Sequence, residues 1–337
     1  MQRWLLAALA TVCWYGLACA DPNVPVAMYT GYGAETLDQL DGWTNRPAHE
    51  IMDYIFVADQ PNNQGGWANF DGSAWYWACS VDQPRIRRMV YAIGFFPAGE
   101  NATMAQAAAG AYDAHYANAA SQLVACGYGD SIVRVAWEFN CCYPWGVQAN
   151  ASDSNYVQHY IAAFQRVVNQ FRQYSPNFKF VWNPNGDYYQ MPNYKDTFPG
   201  WWYVDIIGVD IYDHTCSGFT CDPVEYWSSR VQIMLDDLTT FNNNLTQNGW
   251  CCFPKPLALP EWAAGDSTVG DNPYFINKMA NWVDTNWIAP AATSGYWSAS
   301  GFVGYWNGGN GSGYNGDLVN YPKQRGAWAA RFGGTSQ

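Results

Sequence analysis

The chain has 337 residues, with 28 acidic against 16 basic side chains, so its surface is anionic. Nucleic acid, which is bound through a basic footprint, is thereby excluded as a partner. Aromatic residues make up 18% of the chain and 19 of them are tryptophan, more than one core absorbs, because Trp is rarely fully buried.

The first twenty residues read as an export signal. Arg3 opens it, Leu5 to Leu17 is mostly apolar, and Ala18-Cys19-Ala20 has the small-x-small form of a cleavage site. The expected product is a secreted, extracellular chain of residues 21–337. The apolar stretch is too short to span a bilayer and no later run reaches the roughly 20 residues required, which excludes a membrane partner. Ten cysteines fall to eight once Cys13 and Cys19 leave, and an even count in an exported chain predicts disulfides. Sequons at Asn101, Asn150, Asn244 and Asn310 make the chain a glycoprotein in a host that glycosylates.

Beyond Asp21 one theme recurs: an apolar strand, a polar turn, an amphipathic helix. Strands are expected at Val24–Thr30, Tyr54–Ala58, Met89–Phe95, Ile132–Glu138, Phe178–Trp182, Val204–Ile211, Leu257–Glu261 and Gly301–Trp306. They are mostly short runs without alternation, as strands buried on both faces are. Between the second and third, the Gly-rich stretch from Asp59 to Arg88 reads as mostly loop. Ala102 to Ala125 is Ala-rich and helical. Val157, Tyr160, Ile161, Phe164, Val167, Val168 and Phe171 repeat at three and four, giving one apolar stripe. Asp222-Pro223-Val224-Glu225 supplies a cap, a first-turn proline and an acid, and Val224, Trp227, Val231, Leu235 and Leu238 a buried face. Pro273 to Trp287 predicts a further helix. Eight strands alternating with helices specify a parallel sheet, and at this length the expected α/β solution is a single closed (β/α)8 TIM barrel.

That barrel sets the cysteine expectations. Cys216–Cys221 closes a short loop, and Cys79 and Cys126 precede adjacent strands at the same end and pair. Cys141-Cys142 and Cys251-Cys252 fall at opposite ends, so each doublet is expected to close on itself.

Two of the strands carry a glutamate to their C-terminal tips, Glu138 after Trp137 and Glu261 after Pro260. In a parallel barrel that end is where chemistry happens, and two facing carboxylates are the equipment of glycoside hydrolysis. Trp137 and Phe139 give Glu138 an apolar setting that raises a carboxyl pKa. Arg134, four residues earlier, is the expected cation for an ionised Glu261. Asn183 and Asn185 at the exit of the fifth strand and Asp210 late in the sixth are expected to bond sugar hydroxyls. Tyr143, Trp145 and Trp306 are expected to stack on sugar rings, which suit flat apolar surfaces with polar edges. Tyr29, Tyr32 and Phe95 stand at other strand ends. There is no G-x-S-x-G elbow, and His49, His115, His159 and His214 have no metal spacing, so neither metal nor cofactor is expected.

Several segments together resemble glycoside hydrolase family 26, a group of retaining (β/α)8 enzymes. Arg134-Val-Ala-Trp-Glu138-Phe-Asn140 is similar to the family's acid/base strand, Phe180-Val-Trp-Asn-Pro-Asn185 to its fifth strand, and Val204 to Tyr212 to its sixth. Leu259-Pro-Glu261-Trp262 resembles the nucleophile strand, and Gly270 to Phe275 the start of the next helix. The resemblance implies Glu138 as acid/base, Glu261 as nucleophile, and Tyr212 as the hydroxyl that holds the nucleophile. Trp137 departs from it, since many members carry His there. The expected protein is a monomeric, retaining endo-β-glycosidase of a β-linked polysaccharide, with β-1,4-mannan favoured over β-1,3-xylan or a β-glucan. The alternative from another class is a non-hydrolytic carbohydrate-binding protein on a retired barrel, and the same residues would also serve transglycosylation.

Overall fold

In a computed structural model, short parallel strands close into a ring. The structure describes residues 26–29, 50–54, 66–81, 89–186, 193–216, 220–247, 254–265, 270–288, 301–307, 318 and 320–333. The expected signal at 1–20, Tyr32, the Cys251-Cys252 doublet and the Asn310 sequon lie outside the described residues, as does the side chain of Tyr29.

The strands are β1 (Val26–Tyr29), β2 (Glu50–Tyr54), β3 (Met89–Ile93), β4 (Ile132–Val135), β5 (Lys179–Trp182), β6 (Ile206–Gly208), β7 (Ile211–Tyr212), β8 (Leu257–Ala263) and β9 (Val303–Trp306). Each of β1 to β6 pairs with the next, β6 pairs with β8, β8 with β9, and β9 returns to β1, all in parallel. β7 extends the sixth stave past Val209 and Asp210 and lies along Trp262 and Ala263 of β8. The nine segments therefore form the eight staves of a (β/α)8 barrel. Burial explains the lack of alternation: every residue of β3, β4 and β8 is buried.

Three boundaries differ from the sequence expectation. β2 begins at Glu50, because Ala27 of β1 pairs with Glu50 and Ile51 to Tyr54 run beside Met89 to Ala92 of β3. Register, not local apolarity, fixes its start. β4 ends at Val135, three residues short of Glu138, whereas β8 runs through Glu261 to Ala263.

The second connection also differs, since it contains a helix, α1 (Gly66–Trp75), extended by a π-helical turn, Tyr76–Val81. Phe70, Ala74 and Ala78 bury its inner side at a spacing of four, a stripe that the glycines and small residues around it disguise. The Ala-rich stretch is two helices, α2 (Met104–Ala109) and α3 (Asp113–Ala125), parted at Gly110, whose φ of 89° a side chain would strain. α4 (Tyr156–Tyr174) buries Tyr160, Phe164, Val167, Val168 and Phe171 as its stripe demands. Asp222 caps α5 (Pro223–Tyr226) by accepting from the amides of Val224 and Glu225, and a π turn (Trp227–Val231) leads into α6 (Gln232–Gln247). Val224 is exposed there and Tyr226 buried in its place, because the π turn rotates the face. α7 (Pro273–Val283) and α8 (Pro322–Phe332) cover β8 and β9.

Two disulfides pair as expected: Cys79–Cys126 joins the turn after α1 to the end of α3, and Cys216–Cys221 closes the loop after β7. The bridge expected within the Cys141-Cys142 doublet is not formed: Cys141 is buried, Cys142 is exposed, and no disulfide joins them. Among the described residues, no helix is long and apolar enough to cross a membrane.

Candidate active site

The site grows from one buried cation at the C-terminal end of β4. Arg134 is fully buried, and a guanidinium there needs partners for its charge and its donors. Its Nε donates to Asn183 Oδ1 at 2.9 Å and its Nη2 to Asp210 Oδ2 at 2.5 Å. Nη1 and Nη2 both reach Glu261 Oε2, at 3.2 and 3.3 Å. The other oxygen of Glu261, Oε1, accepts a hydrogen bond from the Tyr212 hydroxyl. Glu261 is thus gripped from both sides, by a cation from β4 and a phenol from β7.

Glu138 arrives differently. The chain leaves β4 at Val135 and bends through Ala136 and Glu138, whose φ values of 43° and 50° are left-handed without the relief of glycine. Each such residue costs on the order of 1–3 kcal/mol and persists only where surroundings enforce it. The enforcing bonds run from the Ala136 amide to the Ile93 carbonyl and from the Glu138 amide to the Asn183 carbonyl, both 2.7 Å. Two residues on, the Asn140 amide group donates to the Asn185 carbonyl and its Oδ1 accepts from the Asn185 amide, again both at 2.7 Å. The bend is therefore stitched to β3 on one side and to the exit of β5 on the other.

One carboxylate oxygen each from Glu138, Asp210 and Glu261 lies within 4.8 Å of the others. Among the described residues this acidic cluster has metal-ligand spacing, yet the Arg134 guanidinium already sits against two of its members. One cation cannot balance three negative charges in a buried site, so a proton is retained. Burial pushes the Glu138 carboxyl well above the usual carboxylate range, and the charges of Asp210 and Glu261 add to the shift, with Arg134 opposing. Asp210 is also raised, by burial and by the charge of Glu261, against the pull of Arg134. The proton therefore belongs to the Glu138–Asp210 pair, which titrates as a unit.

The sequence-predicted residues separate into two groups. Arg134, Glu138, Asn183, Asp210, Tyr212 and Glu261 meet as one network, with Asn185 joined through Asn140. Asn183 and Asp210 are fully buried and committed to Arg134, so they hold the site's own groups and do not offer themselves to sugar hydroxyls. Asn185 is likewise occupied through its backbone, in reciprocal bonds with Asn140.

Trp145 is a correction: it is 1% exposed and presents no face to a ligand. Its ring lies over Gly94, where a Cβ would meet it at 2.1 Å, and its Nε1 donates to the Trp137 carbonyl at 2.8 Å. Trp145 thus buttresses the bend that carries Glu138. Tyr143 is half-buried and stacks on Trp145, ring centroids 5.2 Å apart. Trp137 packs against both rings and lies 5.8 Å from the Arg134 guanidinium. Trp306 ends β9 beside Tyr29 and is 8% exposed. Phe95 is buried. Asn140 is the residue that sequence reasoning missed, although its place two residues after Glu138 was a signal.

The sequence profile described as glycosyl hydrolase family 26 matches residues 132–233, which take in Arg134, Glu138, Asn183, Asp210 and Tyr212. The match spans under a third of the chain, and over that span the chain is similar to glycosyl hydrolase family 26. Solved structures agree with the (β/α)8 fold. A Bacillus subtilis mannanase superposes with a TM-score of 0.54 at 15% identity, covering 91% of this chain and 84% of that one. A Cellulomonas fimi endo-β-1,4-mannanase double mutant gives 0.57 at 16% identity, covering 91% of this chain and 68% of the other. At such identities the likeness is one of fold. Among curated proteins, none matches the chain.

Proposed function

We propose that the chain is a secreted endo-β-mannanase that hydrolyses β-1,4-mannan by double displacement with retention. The observation that carries this reading is the pair Glu138 and Glu261. Oxygens of the two carboxyls lie within 4.8 Å, in keeping with the about 5–5.5 Å separation of retaining glycosidases and short of the roughly 6.5–9.5 Å that admits a water for inversion. Their environments also divide the labour. Glu138, buried and crowded by two other acids, keeps its proton for delivery. Glu261, bonded to Arg134 and Tyr212, has its charge neutralised and its oxygens aimed.

Glu261 attacks the anomeric carbon as Glu138 protonates the departing glycosidic oxygen. The resulting glycosyl ester is then hydrolysed by a water that Glu138, now a carboxylate, deprotonates. Arg134, Asp210, Asn183 and Tyr212 position the nucleophile. Tyr143 and Trp306 are the rings proposed to line the cleft, and no step draws on a metal or cofactor. Mannan is favoured because the superposed mannanases share the fold, and loops decide the sugar. Secretion rests on the signal features of residues 1–20. A pure carbohydrate binder has no use for a strained bend holding one acid beside another that is clamped by Arg134 and Tyr212.

A panel of mannan, β-1,3-xylan and β-glucans, with product chromatography and NMR of the first-formed anomer, tests the reading. Internal cleavage of mannan to β-anomers is the expected result. α-Anomers would sink the retaining mechanism, and cleavage of another polymer alone would move the substrate assignment.

A further inference from the structure

The opposite end of the barrel carries a feature that catalysis does not use. Seven large hydrophobic side chains stand exposed among the described residues, and five of them are Trp75, Tyr76, Val124, Tyr174 and Trp202. Trp75, Val124 and Tyr174 sit at the C-terminal ends of α1, α3 and α4, Tyr76 on the π turn after α1 and Trp202 on the loop before β6, the segments that lead into β3, β4, β5 and β6, four consecutive staves. In a parallel barrel such turns share the face opposite the catalytic mouth. Single exposed hydrophobics need no explanation, but a row along one rim does.

The rings are exposed on backbone that is held firmly. Trp75 donates its amide to Gln122 Oε1 at 2.9 Å, and the Cys79–Cys126 disulfide ties the turn after it to the end of α3. Trp202, 69% exposed, offers its carbonyl to Arg172 at 2.8 Å. Its ring stands edge-on against the buried Trp201, centroids 4.9 Å apart, and the Lys255 ammonium lies 3.2 Å over the Trp201 ring. Tyr174 is two residues beyond Arg172. Backbone held in this way, with the Trp202 ring packed against Trp201, loses little freedom on contact with a ligand.

We infer that this row, centred on Trp75 and Trp202, is a second carbohydrate-binding surface that holds a neutral polysaccharide remote from the cleft. Aromatic faces with polar edges suit pyranose rings. The net charge of −12 disfavours anionic membranes and nucleic acids but costs a neutral polymer nothing. The identity of the polymer rests on the function proposed above, whereas the surface itself does not.

The test uses native gels cast with soluble galactomannan, xylan, mixed-linkage β-glucan or no polymer. Glu261→Ala protein, which leaves polymers intact, is compared with the same protein also carrying Trp75→Ala and Trp202→Ala. The first is expected to be retarded by one polymer even when short oligosaccharides of that polymer saturate the cleft. The added changes are expected to weaken retardation about tenfold, and Trp202→Tyr to preserve most of it. With Glu261 intact, the two Trp changes should leave turnover of a soluble hexasaccharide unchanged and slow release from insoluble polymer. Retardation by a polymer other than mannan upholds the surface and overturns the mannan assignment. Four results overturn the surface: no retardation, retardation abolished by oligosaccharide, retardation insensitive to the Trp changes, or self-association that Trp202→Ala removes.

Discussion

The two glutamates are held in opposite ways. Glu261 lies within β8, the longest strand among the described residues, with a register shift beside it between Leu259 and Trp262, and takes hydrogen bonds from two other staves. Glu138 hangs beyond the end of the four-residue β4, on a bend with two left-handed residues that only its neighbours keep in place. On the proposed mechanism, the carboxylate that acts as nucleophile is built into the sheet. The proposed acid/base is mounted on strained backbone in a buried corner shared with two other acids. Charge and geometry are thus tuned separately, with regular structure supplying the first carboxylate's aim and burial supplying the second one's proton.

Removing Glu261 should cost most, because no substrate then forms the glycosyl ester. Glu261→Ala is expected to lose on the order of 10⁴-fold in kcat for polysaccharide and aryl glycoside alike, with azide returning the inverted glycosyl azide. Glu138→Ala should lose about 10²–10⁴-fold on polysaccharide, while an aryl glycoside with an acidic phenol still yields a burst and a stalled ester. Azide should then restore turnover with retained configuration. Azides of the opposite configurations would exchange the two roles, and unchanged activity in both variants would break the comparison altogether.

The pH profile sharpens it further. Burial and the neighbouring acids raise Glu138, so the alkaline limb of kcat/KM should lie above the ordinary glutamate range. Glu261→Gln removes one of those charges, so the Glu138 carboxyl signal in infrared or carbon NMR should titrate lower than in the wild type. For stability the sign is fixed in the same way. A raised carboxyl contributes stability that is present below its unfolded pKa and lost as pH rises through the folded value, so Glu138→Gln should flatten the alkaline fall in Tm. A Glu138 signal at an unperturbed position would refute the burial argument.

Asn140→Ala should have a smaller effect. It strips two buried partners from Asn185, at about 1–3 kcal/mol each in the worst case, and should lower kcat more than it raises KM, since the acid moves and the cleft stays. Ala136→Gly is the smallest expected change. Glycine accepts the positive φ, so Tm should hold or rise by a few degrees while kcat on polysaccharide falls a few-fold. A variant as active as wild type would mean that the strain itself does nothing for the acid.

The barrel was legible because buried parallel strands announce themselves as short apolar runs, and seven of the eight expected runs overlie a stave along most of its length. The second stave was misplaced because its pairing with β1 and β3, and not its own apolarity, sets where it starts. α1 was hidden by Gly66 and Gly72, which dilute an otherwise regular stripe. Within the site, Glu138, Glu261, Arg134 and Tyr212 were readable as chemistry out of place in apolar runs. The bend at Ala136 to Glu138 was not, since no glycine or proline marks it and bonds to Ile93 and Asn183 impose it from other strands. Trp145 was misread for a similar reason: its burial depends on the absence of a side chain at Gly94, fifty-one positions away.

Asn183 joins the two halves of the site. Its carbonyl fixes the backbone of Glu138, and its side chain fixes the guanidinium that clamps Glu261. The gap between the carboxylates, which decides whether a water fits between them, is therefore gauged from β5, a strand that bears neither. On the double-displacement reading, lengthening that gauge would push the glutamates apart with both of them unchanged, so the configuration of the released sugar would change through Asn183 alone.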